Sequence, residues 1–138
     1  MQTTHSSILA LDVGEARIGI AMANRIAKIA SPLVTLPNDD NFTAQLRKIA
    51  ETNGVDTLVV GLPRSLDGTV TAQTAYAQGF ADKLQAELGL PVHLQDEALT
   101  SAKAEAELTG RRKPFTREDI DMLSAVYILD DFLKEGTA

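Results

Sequence analysis

Two short apolar runs open the chain, 7–13 (SILALDV) and 17–23 (RIGIAMA), separated by Gly14-Glu15-Ala16. Each has the length of a strand and the break between them reads as a tight turn, so the pattern predicts a β-hairpin. A third apolar run, Ile26 to Leu36, ends at Pro37 and an Asn-Asp-Asp loop. Pro32 inside that run has no N–H to give to a ladder, which predicts an edge strand or a bend. The first third of the chain therefore reads as a three-stranded meander.

From Asn41 to Asn53 the apolar residues Phe42, Leu46, Ile49 and Ala50 recur at helical spacing, and Asn53-Gly54 is a stop signal. Asp56 to Gly61 is a β-branched run typical of a strand covered on both faces, and Leu62-Pro63 cannot continue it as a regular central ladder because proline has no N–H. Asp67-Gly68 marks a turn, and Val70 to Leu88 places Ala77, Phe80, Ala81, Leu84 and Leu88 on one helical face before Gly89. Val92 to Gln95 reads as a brief strand, about Thr100 to Leu108 as a helix, and Gly110-Arg111-Arg112-Lys113-Pro114 as a basic loop. Thr116-Arg117-Glu118-Asp119 has the capping-box pattern that opens a last helix, running to about Lys134. The order βββ-α-β-α-β-α-α implies an α/β fold with a five-stranded mixed sheet and helices on both faces. At 138 residues the expectation is one domain, 1–138.

Composition narrows the chemistry. With 44% apolar and 23% charged residues the chain can fill a core, which excludes a disordered segment. The absence of cysteine excludes disulfides, thiolate metal sites and a cysteine nucleophile, so any metal is held by oxygen or imidazole. No stretch approaches the ~20 apolar residues that cross a bilayer, and no leader pattern opens the chain. The expectation is a cytoplasmic protein without a membrane partner. A net charge of −6 argues against holding nucleic acid by global charge. Carboxylates gathered at one metal site, however, lower the pI while the bound cations reverse the local sign. Arg111, Arg112, Lys113 and Arg117 offer one local phosphate-binding patch.

Three acids stand out. Alternation puts Ile8, Ala10 and Asp12 on one face of the first strand. A carboxylate there is costly to bury unless paired or metal-bound, although an Asx turn before Gly14 also explains it. Gly14 permits the turn and lets an ion or phosphate approach. Glu97 follows a strand and precedes a helix; like Asp96 it could simply favour the helix dipole, but its register sets it opposite Val92 and Leu94. Asp121 begins the apolar stripe Ala125, Ile128, Leu129 and Phe132, while capping is already served by Thr116 and Asp119. The ordinary alternative for Asp121 is a salt bridge to an arginine such as Arg17. Three such acids suit an oxygen-ligand site for two Mg²⁺ or Mn²⁺ ions, able to hydrolyse a phosphodiester without a nucleophilic side chain. Arg64, after the central strand, could meet a phosphate or be plain surface. His5, His93, Arg47 and Lys48 read as solvated residues.

The motifs DVGEARIGIAMAN, VVGLPRSLDGT, QDEALTSAKAEAEL and IDMLSAVYIL, in this order over about residues 8–133, resemble the YqgF/RuvX family. That family is described as Holliday junction resolvase-like and as a nuclease maturing the 5′ end of pre-16S ribosomal RNA. The resemblance implies an RNase H-like fold with Asp12, Glu97 and Asp121 at the family's acidic positions. It implies a nucleic acid partner, pre-rRNA or branched DNA, with Arg64, Arg111, Arg112 and Lys113 as phosphate contacts, and a monomer or homodimer. Two positions depart: Ala98 where the family has arginine, and Asn24 where it has an acid. The alternatives are a Holliday junction resolvase in DNA recombination and repair, or a catalytically weak nucleic-acid-binding module. Nucleotide hydrolysis of the actin-like kind needs two such domains, which 138 residues do not supply.

Overall fold

β1 (Ser7–Val13) is the central strand of a five-stranded sheet ordered β3-β2-β1-β4-β5. The structure, a computed structural model, describes residues 6–63, 71–97 and 100–135. β2 (Arg17–Asn24) returns antiparallel to β1, pairing Asn24 with Ser7 and Gly19 with Asp12. β3 (Ala30–Pro37) pairs antiparallel with β2 and forms the sheet edge, completing the expected meander. It starts at Ala30 rather than Ile26 because the residues after Asn24 make the turn. The Asn24 side-chain oxygen accepts from the N–H groups of Ile26 and Ala27, and Lys28 turns back with φ +56°. Pro32 stands opposite Ala21 where the β2–β3 register shifts, an irregularity suited to an edge strand.

β4 (Val55–Pro63) lies parallel to β1, and β5 (Val92–Glu97) parallel to β4. As expected of a proline without an N–H, Leu62-Pro63 does not continue a regular central ladder. β1 pairs with β4 only as far as Val60, so beyond that point β4 has a single neighbour and Pro63 can close the strand opposite Glu97. β5 likewise runs two residues past the expected Gln95 and ends on Glu97 itself.

The helices divide between the two faces. α1 (Phe42–Asn53) buries Phe42, Leu46 and Ala50, and ends where Gly54, at φ +62°, donates its N–H to the Ala50 carbonyl. α2 (Ala72–Leu88) buries Thr74, Ala77, Ala81 and Leu84. Its cap is Thr71, in a reciprocal box with Thr74 that the sequence pattern did not suggest. Both helices pack on Leu9, Leu11, Ile18, Ile20, Leu58 and Val60. α4 (Arg117–Glu135) covers the other face, where Ile8, Ala10 and Val59 meet Ala125, Ile128 and Leu129. Burying each large aliphatic side chain there contributes about 2 kcal/mol. The Thr116–Asp119 capping box is present, with N···O distances of 2.9 and 3.2 Å. α3 (Thr100–Gly110) packs on α4. Among the described residues no helix is long and apolar enough to cross a membrane.

Candidate active site

Asp12 leaves β1 on the face covered by α4, in line with Ile8 and Ala10. Its partner across the hairpin is Gly19, and there α4 reaches the sheet. A Cβ on Gly19 would overlap the Asp121 carbonyl and stand 2.8 Å from the Asp121 Cβ. Glycine at this point is what lets the first turns of α4 settle against β2 and carry Asp121 to Asp12.

Glu97 arrives from the opposite side as the last residue of β5. A Cβ on Gly61 would overlap the Ile128 Cδ1 methyl and stand 3.1 Å from the Glu97 carboxyl group, so Gly61 leaves space that Ile128 of α4 fills first and that Glu97 borders. Gly14 makes the third close approach. Its N–H donates to the Arg17 carbonyl at 2.9 Å, and a Cβ there would meet that oxygen. The expected role of Gly14 in the turn is thereby accounted for.

Asp12, Glu97 and Asp121 line one cleft of about 700 Å³, together with Gly14, Arg17 and Tyr76. The Asp12 carboxyl is pushed up from 3.8 to about 8, first by burial, then by the charge of Glu97, then by that of Asp121. Asp121 is ion-paired with Arg17, Nε to Oδ2 2.7 Å, and the bond to Asp121 raises the Arg17 pKa. The alternative considered for Asp121 is therefore realised, and it coexists with proximity to Asp12. Among the described residues no group of three or more His, Cys, Asp or Glu side chains is placed to hold a metal ion. The arrangement is an open, acid-lined cleft with one arginine at its side.

The basic residues fall elsewhere. Arg111 and Lys113 line a separate groove of about 560 Å³ with Pro32, Phe115 and Tyr127. Arg111 is ion-paired with Glu107 one turn earlier, and Arg112, at φ +57°, is exposed beside it. Arg117 shares a smaller pocket of about 440 Å³ with Arg17 and Asp121, closer to the acids than the rest of its cluster. Arg64, Ala98 and His5 lie outside the described residues. Asn24, at the end of the hairpin remote from Asp12, shapes the β2–β3 turn and does not touch the cleft. His93 is exposed, its ring 5.4 Å from that of Phe132. Gly19, Gly61 and Tyr76 escaped the reading of the sequence. Gly19 did carry a signal, because a glycine inside a strand marks close backbone approach.

A family model described as RuvX: Holliday junction resolvase matches residues 6–135. A protein of Thermosynechococcus vestitus, named "Putative pre-16S rRNA nuclease", is 41% identical over 131 residues, covering 92% of this chain and 87% of its own. Proteins of the same name from Chloroflexus aggregans and Moorella thermoacetica are 42% and 40% identical, covering 92% and 91% of this chain and 92% and 93% of theirs. The solved structure of Thermus thermophilus RuvC in complex with a Holliday junction substrate superposes with a TM-score of 0.59 at 15% identity. It covers 97% of this chain and 98% of that one, and it establishes the RNase H-like fold alone.

Proposed function

Because the chain belongs to the RuvX family, we propose that it is a metal-dependent endonuclease that trims the 5′ end of pre-16S ribosomal RNA in the cytoplasm. The observation that carries the reading is the convergence of Asp12, Glu97 and Asp121, from three separate elements, on one cleft. The donor set fits Mg²⁺ or Mn²⁺. It is all oxygen, and Asp12 is held near two other acids at a cost that a cation would relieve.

Asp12, Glu97 and Asp121 would hold two such ions. Bound there, the metal supplies Lewis-acid stabilisation of the phosphate and a water of lowered pKa. The chain's own residues do the remainder. Arg17 offers a cation at the cleft for a phosphate oxygen, and Gly14 keeps the approach to Asp12 clear. Arg64, Arg111, Arg112 and Lys113 take flanking phosphates, positioning the strand without reading its sequence. The protein acts as a monomer or a homodimer.

One observation favours a second reading, a nucleic-acid-binding module that cuts weakly. Asp121 already spends an oxygen on Arg17. The test is incubation with a 5′-extended 16S precursor and with a four-way DNA junction, each with Mg²⁺, Mn²⁺ or chelator. The proposal expects a discrete cut in the precursor with metal only. Cutting of the junction alone would favour the resolvase alternative, and cutting of neither would leave the binding module.

A further inference from the structure

One wall of the carboxylate cleft is an aromatic ring. Tyr76, in the early turns of α2, is 43% exposed and lines the same cavity as the three acids. α2 turns Thr74, Ala77, Ala81 and Leu84 into the core, which leaves Ala72, Gln73 and Tyr76 on the cleft. The Thr74 hydroxyl also donates to the Pro63 carbonyl, tying the start of α2 to the end of β4.

The ring is held from two directions. Its centroid lies 6.2 Å from that of Phe80, which stands 5.6 Å from the buried Phe42. Its hydroxyl accepts a hydrogen bond from Asn38 Nδ2 at 2.8 Å. The same amide donates to the Gly14 carbonyl at 2.8 Å, in the loop that follows Asp12. A large aromatic side chain is thus immobilised beside the acids while much of its surface stays open to the cavity. Ordering it on binding would forfeit little entropy.

We propose that Tyr76 is a stacking platform for an unpaired nucleobase, so that the cleft takes a single-stranded or locally opened segment next to the carboxylates. This rests on the nuclease reading above. A chain of net charge −6 has little general electrostatic attraction for nucleic acid, and stacking supplies affinity that does not depend on charge. Every base has a π-face to offer, but in a duplex both faces are covered by neighbours, so such a platform selects unpaired bases.

The chain has two tyrosines and no tryptophan, so Tyr127→Phe leaves Tyr76 as the sole strong intrinsic fluorophore. The probe is a labelled phosphorothioate single strand of about ten nucleotides, with a fully paired hairpin of the same composition beside it, both in Mg²⁺. Saturable quenching of Tyr76 by the single strand is expected. Tyr76→Ala and Tyr76→Leu should each weaken single-strand binding about tenfold or more, Tyr76→Phe should preserve it, and hairpin binding should not change. Tyr76→Leu keeps the side chain's bulk against Phe80, which guards against a folding defect. Single-strand binding that is unchanged in both variants overturns the platform and leaves the nuclease reading standing. Failure of the wild type to bind either probe overturns both.

Discussion

At Asp12 the folded chain holds a carboxyl group whose pKa is about 8 instead of 3.8. Between those values the unfolded chain releases the proton and the folded chain keeps it, so stability is fullest below about pH 4 and is lost as pH rises toward 8. For this half-buried residue the loss is on the order of 2 kcal/mol after solvent screening. The melting temperature of the metal-free protein should therefore fall between pH 5 and 8, and Asp12→Asn should flatten that slope. Mg²⁺ should restore stability to the wild type at the alkaline end. Identical pH profiles for wild type and variant would contradict the account. Asp12 and Asp121 were legible in the sequence because strand and helix periodicities are simple enough to assign faces. The Arg17 pair was legible only as an alternative, since spacing cannot tell whether a salt bridge and an acid-lined cleft share one carboxylate.

At the scale of elements, the site depends on how close α4 and β5 come to the sheet. Gly19→Ala places a methyl group where the Asp121 backbone stands, so α4 must move; a loss of about 3 kcal/mol or more is expected, with loss of metal-dependent cleavage. Gly79, in exposed helix with nothing within 4 Å of a Cβ, has the opposite expectation. Gly79→Ala should stabilise by about 0.5–1 kcal/mol and leave cleavage unchanged. Urea denaturation of the two variants measures the contrast, and equal effects of the same sign would refute this reading of α4. The order of elements and the capping box of α4 followed from periodicity and local hydrogen-bonding chemistry. The extension of β4 through Pro63 did not, because whether a missing N–H matters depends on whether β1 reaches that far. The Thr71 cap was hidden for a similar reason: Thr74 answers it in place of the usual Glu or Gln.

Across the whole molecule, the chain brings residues 12, 97 and 121 to one end of a mixed sheet, with α4 on one side and α2 on the other. The net charge of −6 reflects a surface that repels phosphate except where cations, bound or built in, reverse the sign. The basic loop of residues 111–113, expected from the sequence as a local phosphate-binding patch, faces a groove of its own beside Pro32 and Tyr127. Chain order cannot reveal that separation, because α3 packs on α4 and directs its C-terminal end away from the cleft. The central claim is that the three acids form one metal-dependent phosphodiester site. Its most direct test is the single-turnover cleavage rate of the 5′-extended 16S precursor in millimolar Mg²⁺, compared between the wild type and a folded Asp12→Asn. The account predicts a fall of at least about a hundredfold, equivalent to about 3 kcal/mol of transition-state stabilisation. A variant that cuts at the wild-type rate would contradict it.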